Sequence, residues 1–109
     1  MQISTLETLP GHRIEKYCGL AKGSTVRSRH IGHDIMAKFK NLVGGEVMEY
    51  TKMMAECREQ ALDRMVADAE ALGANAIVGF RFITSEIMEN ASELLAYGTA
   101  VRVASESGD

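Results

Sequence analysis

The residues of this chain best suited to bind a metal ion are two histidines three positions apart and the aspartate that follows them. These are His30, His33 and Asp34. Imidazole nitrogens and carboxylate oxygens are common Zn²⁺ ligands, but a structural zinc site usually needs four ligands in close pairs. The third histidine and both cysteines lie far from this group in the sequence. The group is therefore the candidate core of a transition-metal site, and the incomplete ligand set predicts a protein without a stoichiometric metal.

The sulfur-containing residues favour packing over chemistry. Cys57 lies on the apolar side of a predicted helix, and Cys18 shares a predicted strand face with Leu20, so we expect two structural thiols. Four methionines on the same helix are consistent with a copper site, but their helical spacing is more typical of core packing. No catalytic triad can be assembled, because all three histidines precede residue 34. We expect neither enzyme activity nor a cofactor.

Arg81 is the one charged residue in the apolar segment Ala74–Ile83. A guanidinium in dry surroundings needs a carboxylate or carbonyl partner. We therefore expect a structural or intersubunit ion pair. The alternative is a ligand clamp, in which Arg81 lines an intersubunit pocket beside Tyr97 or Thr99. The candidate carboxylates for the ion pair are Glu46, Glu89 and Glu93.

Two glycines, Gly44 and Gly45, precede the longest predicted helix. Free amides at a helix N-terminus attract phosphate, but the Lys-Ser/Thr ending of a P-loop is missing. Glu46 would repel an anion and would itself complement the helix dipole. A tight turn followed by a favourable charge is the better interpretation.

Composition limits the class of protein. The chain has 109 residues, of which 46% are hydrophobic and 25% charged, as expected for one globular domain. We assign the domain to residues 1–104 and a disordered tail to residues 105–109. A net charge of −3 and the lack of tryptophan argue against nucleic acid as a partner. The sequence has no apolar run of about 18 residues, the length that would predict a membrane span, and no secretory signal is visible. We therefore expect a cytoplasmic protein.

The strongest periodic pattern predicts one long amphipathic helix over Glu46–Leu72. Gly73 follows it, where a left-handed cap would end the helix. A shorter helix is predicted over Asp34–Asn41, and strands over Gln2–Leu6 and Ile14–Leu20, the latter interrupted at Gly23-Ser24. The residues on the apolar side of the long helix are Val47, Tyr50, Met54, Cys57, Ala61, Met65, Ala69 and Leu72.

The last two predicted strands, Ala74–Ile83 and Leu94–Val103, are apolar on both faces. A sheet with one wet face should alternate apolar and polar residues, and one helix covers only one face. The helix would also be about 40 Å long, whereas a strand of eight residues spans about 26 Å. Neighbouring subunits would supply the missing cover, so the pattern predicts a homo-oligomer.

Several of these segments together resemble the YbjQ-like family, which carries the label "putative heavy-metal-binding". They are Val43-Gly44-Gly45-Glu46, Leu72-Gly73-Ala74-Asn75-Ala76, Arg81-Phe82 and Ala96-Tyr97-Gly98-Thr99-Ala100-Val101. The resemblance implies an α+β subunit of β-α-β-β order with an antiparallel sheet, grouped with dodecin-like folds and assembled as a ring, a pentamer. It implies no known reaction. We expect a homo-oligomeric, non-catalytic binding or assembly protein; the alternatives are a heavy-metal-binding protein and a small-ligand carrier with an intersubunit pocket.

Overall fold

A computed structural model describes residues 1–28, 45–88 and 91–106. Four strands and one helix follow in the order β1 (Gln2–Ile3), β2 (His12–Ser28), α1 (Gly45–Ala71), β3 (Ala76–Met88) and β4 (Ala91–Ser105). The strands form one sheet in the order β1-β3-β4-β2. This confirms the predicted α+β class and the order of one helix between strands. The predicted short helix over residues 34–41 lies outside the described residues.

The long helix α1 is confirmed, and its end has the predicted geometry. Gly73 has a φ of 84°, a conformation that glycine adopts without steric cost. The amide of Gly73 donates to Glu70 O at 3.0 Å, and that of Ala74 donates to Ala69 O at 3.1 Å. These two bonds form a Schellman motif, which satisfies carbonyls left free at a helix C-terminus.

The helix packs closely on β2 and β4 because both strands present small side chains to it. Ala21 in β2 and Ala96 and Ala100 in β4 are fully buried in the same core cluster as Met65 of the helix. At Gly23 no side chain fits, because an added Cβ would lie 2.7 Å from the carbonyl carbon of Arg64. The core therefore depends on the closeness of helix and sheet backbones more than on large side chains.

The three long strands are longer and less regular than predicted, whereas β1 is shorter, Gln2–Ile3 in place of Gln2–Leu6. β2 continues through Gly23-Ser24, so the predicted interruption there is wrong. Register shifts in β2 place Leu20 opposite Thr99, whereas Cys18 packs against the core under the helix. These two residues therefore lie on opposite faces, not on the shared face that strict alternation predicted. A bulge adds one residue to its strand and reverses the alternation beyond it.

The sheet is mixed, which corrects the purely antiparallel expectation. The three long strands are antiparallel neighbours, but β1 pairs with β3 in parallel, Gln2 opposite Ala76 and Ile3 opposite Ile77. Leu9, in the segment after β1, packs on the side of the sheet away from α1. Among the described residues, the segment after β1 therefore covers that side of the sheet only at one end.

The C-terminal boundary also differs from the prediction. Ser105 still belongs to β4, and the Glu106 amide donates to Gly11 O at 3.0 Å. The tail assigned to residues 105–109 therefore begins too early. Among the described residues, no helix is long and apolar enough to cross a membrane.

Candidate functional site

The side of the sheet away from α1 carries apolar residues that nothing in the described chain covers. We call this side the open face and define it by the apolar side chains that β2, β3 and β4 place on it. β2 contributes Leu20 and Val26, which are 59% and 60% exposed, and β3 contributes Ile83, which is 48% exposed. Leu95 of β4 lies opposite Ile83 and is half-buried. An exposed apolar patch of this kind commonly marks an interaction surface.

The structure brings together on this face Arg81, Tyr97 and Thr99, the three residues of the alternative ligand clamp. Arg81 of β3 lies directly opposite Tyr97 of β4, and Val78 lies opposite Thr99. Lys22 of β2 faces Tyr97 from the other side. A bulge between Val78 and Arg81 is responsible, because it moves Arg81 to the face occupied by Tyr97. Tyr97 and Thr99 therefore line the open face, as candidates for a pocket there.

Arg81 has a different environment from the dry one that its neighbours in the sequence predicted. Its side chain is exposed, and Nη1 donates to Thr5 O and to Phe80 O, each at 2.7 Å. The phenyl rings of Phe80 and Phe82 contact each other edge to face, with 4.9 Å between the ring centroids. Arg81 therefore ties the segment after β1 to β3 through carbonyl groups. Its ion pair with Glu46 stays a prediction, because the Glu46 side chain lies outside the described part.

The three candidate metal ligands, His30, His33 and Asp34, lie outside the described residues. Within the ranges that the structure describes, no three His, Cys, Asp or Glu side chains come close enough to hold a metal ion. Both cysteines are free and half-buried. Cys18 packs against the core beneath the helix, in keeping with a structural thiol.

A groove that shares Leu95 with the open face contains two basic residues that the sequence analysis missed, Lys22 and Arg64, together with Glu93, one of the carboxylates proposed as a partner of Arg81. It has a volume of about 580 Å³ and is lined by Lys22, Gly23, Ser24, Arg64, Glu93 and Leu95. Arg64 reaches it from the helix and donates through Nη1 to Ser24 O. Arg64 follows Ala61 by three positions and so flanks the apolar side of the predicted helix, but its contact with β2 could not be predicted from the sequence. That contact exists only because Gly23 lets the helix approach the strand.

The chain belongs to a described protein family. A family model described as "Putative heavy-metal-binding" matches residues 1–104. This family is the YbjQ-like one that the motifs resemble, and its members are named UPF0145 proteins.

Relatives are found in bacteria and archaea. A UPF0145 protein of Dehalococcoides mccartyi (strain BAV1) is 55% identical over 103 residues, covering 94% of this chain and 99% of the relative. One from Methanosarcina acetivorans is 52% identical, covering 94% and 97%. A crystal structure of a DUF74 family protein of unknown function from Pediococcus pentosaceus has a TM-score of 0.59 at 16% identity, covering 95% of this chain and 98% of that one. This last likeness shows the fold alone.

Proposed function

We propose that this protein is a non-catalytic, homo-oligomeric assembly or binding protein of the cytoplasm. The observation that carries the proposal is the open face. Leu20, Val26 and Ile83 are about half exposed or more on one side of the sheet, while α1 packs on the other side over β2 and β4. Burying such side chains contributes about 25 cal/mol per Å² of apolar surface. We choose a second copy of the chain as the partner because further copies are always available to it.

A ring requires two different contact surfaces on each subunit, and the two edges of the sheet present different residues. The β3 segment from Arg81 to Ile87 is exposed at every residue, and it includes apolar Phe82 and Ile87. β2, at the other edge of the sheet, carries the exposed side chains of Leu20 and Val26. Two unlike surfaces meeting head to tail generate a closed ring when the rotation closes. This supports a cyclic assembly, for which the resemblance implies five subunits.

Sedimentation equilibrium at micromolar concentration tests the assembly. We expect a multiple of the 11.9 kDa chain mass, about 60 kDa for five chains, because the open face is too apolar to remain wet. Leu20→Asp should dissociate the assembly, since it places a charge in the proposed contact. Leu6→Asp is the matched control, because Leu6 has nearly the same exposure, 57%, and lies in the segment after β1. A folded wild-type protein of about 12 kDa would refute the proposal.

A heavy-metal-binding protein is the second candidate, favoured by the description of the family model. The residues proposed for it are His30, His33 and Asp34. We expect purified, untagged protein to contain no stoichiometric zinc or copper by elemental analysis, because a tight site needs about four closely placed ligands. One tightly bound metal per chain, lost from a variant carrying His30→Ala and His33→Ala but kept in His12→Ala, would make this second function the correct one.

A further inference from the structure

We propose that the groove lined by Lys22, Ser24, Arg64, Glu93 and Leu95 binds a small organic anion, one with a single carboxylate or phosphate group and an apolar body. The groove, about 580 Å³, is within the size range of ligand sites, about 300 to 1,000 Å³. This goes beyond assembly, because all of these residues belong to one chain.

The backbone around the groove is fixed at the exposed edge of β2. Asp68 of the helix accepts a hydrogen bond from the Lys22 amide at 2.9 Å. Arg64, one helical turn earlier, donates to the carbonyl of Ser24. An unpaired strand edge invites another strand, and these two side chains occupy the β2 edge at Lys22 and Ser24. The groove is therefore held in shape by the helix and is closed to strand addition at that point.

Two cations, Lys22 and Arg64, line the groove. In the part of the chain that the structure describes, neither Lys22 nor Arg64 forms an ion pair. The ion pair found there joins Arg13 and Glu15. Arg64 uses Nη1 for Ser24 O, which leaves its other N–H groups for a ligand. A guanidinium and an ammonium in the same groove supply charge-assisted hydrogen bonds, which favour an oxyanion. The carboxylate or phosphate group would bind between these two side chains.

The remaining lining residues select the rest of the ligand. Leu95 lies opposite Ser24 in the β2–β4 pairing and gives the groove an apolar surface. Glu93, opposite Val26, lies on the same side and would repel a second negative charge. A ligand with one charged group and an aliphatic body suits both the apolar surface of Leu95 and the negative charge of Glu93, because its charge lies at the two cations and its body covers Leu95.

Amide chemical shifts of the ¹⁵N-labelled full chain, titrated with hexanoate at constant ionic strength, test the proposal. We expect saturable shifts at Gly23 and Leu95, and an affinity at least about tenfold above that for acetate, because hexanoate covers more apolar surface at Leu95. Hexylamine should not shift these amides. Hexyl phosphate in place of hexanoate shows which of the two oxyanions binds better.

Lys22→Gln and Arg64→Gln should each weaken hexanoate binding about threefold to tenfold, because an exposed charge-assisted contact is worth up to about 1.4 kcal/mol. Arg58→Gln is the matched control: Arg58 is an exposed arginine of the same helix and does not line the groove. Lys22→Gln leaves the Arg64 contact with β2 in place, so it remains informative if Arg64→Gln unfolds. Equal affinity for hexanoate in Lys22→Gln and wild type, or no saturable shift in wild type, overturns the proposal. The mass of each sample by sedimentation separates this result from a failure of assembly.

Discussion

Gly23→Ala is expected to destabilise the protein by about 3 kcal/mol or more, the cost of overpacking a site that cannot relax. An added Cβ would overlap the amide nitrogen of Met65 and the carbonyl oxygen of Ala61, both in the backbone of α1. A flexible side chain could rotate away, but a helix backbone can only move as a unit. The helix would have to withdraw from β2, and the buried contacts of Met65 would open with it.

Thermal unfolding at one fixed protein concentration measures this effect, and the melting temperature should fall by roughly 10 °C or more. Gly11→Ala is the control. Gly11 has a φ of 79°, and no atom of the described residues lies within 4 Å of an added Cβ, so the left-handed conformation is the cost there, about 1 kcal/mol. If Gly23→Ala were no more destabilising than Gly11→Ala, the close contact between helix and β2 would be wrong.

Met65→Ala should cost about 3 kcal/mol, within the range of about 2 to 5 kcal/mol measured for such truncations in protein cores. Met65 is fully buried and is among the largest of the buried side chains. Its neighbours in the core are mostly alanines, such as Ala21 and Ala96. Alanines have no rotamers with which to fill a cavity, so most of the lost volume would remain empty.

Denaturant unfolding measured at equal protein concentration tests this prediction. Gln60→Ala is the control, because Gln60 is exposed on the same helix and an exposed substitution usually changes stability by less than about 0.5 kcal/mol. Similar stabilities for the two variants would contradict the placement of Met65 at the centre of the helix–sheet core.

The elements that depend on local chemistry could be predicted from the amino-acid sequence alone. The helix could be predicted within one residue at each end, because a run of 27 residues with helical period and a following Gly73 has no other regular solution. The apolar character of both closing strands was likewise visible without any structure. The expectation that the sheet needs cover from another molecule depends on that composition alone.

Which residues lie on the same face of the sheet depends on the tertiary structure. Strict alternation placed Arg81 with Ile77 in a dry environment, and a one-residue bulge placed it instead with Val78, opposite Tyr97 and exposed. A bulge has no necessary local signal, because it is selected by the pairing of two strands as a whole. The groove was hidden for a related reason. Arg64 and Lys22 are 42 positions apart, and they meet only because Gly23, with no side chain, lets a helix lie directly on the strand.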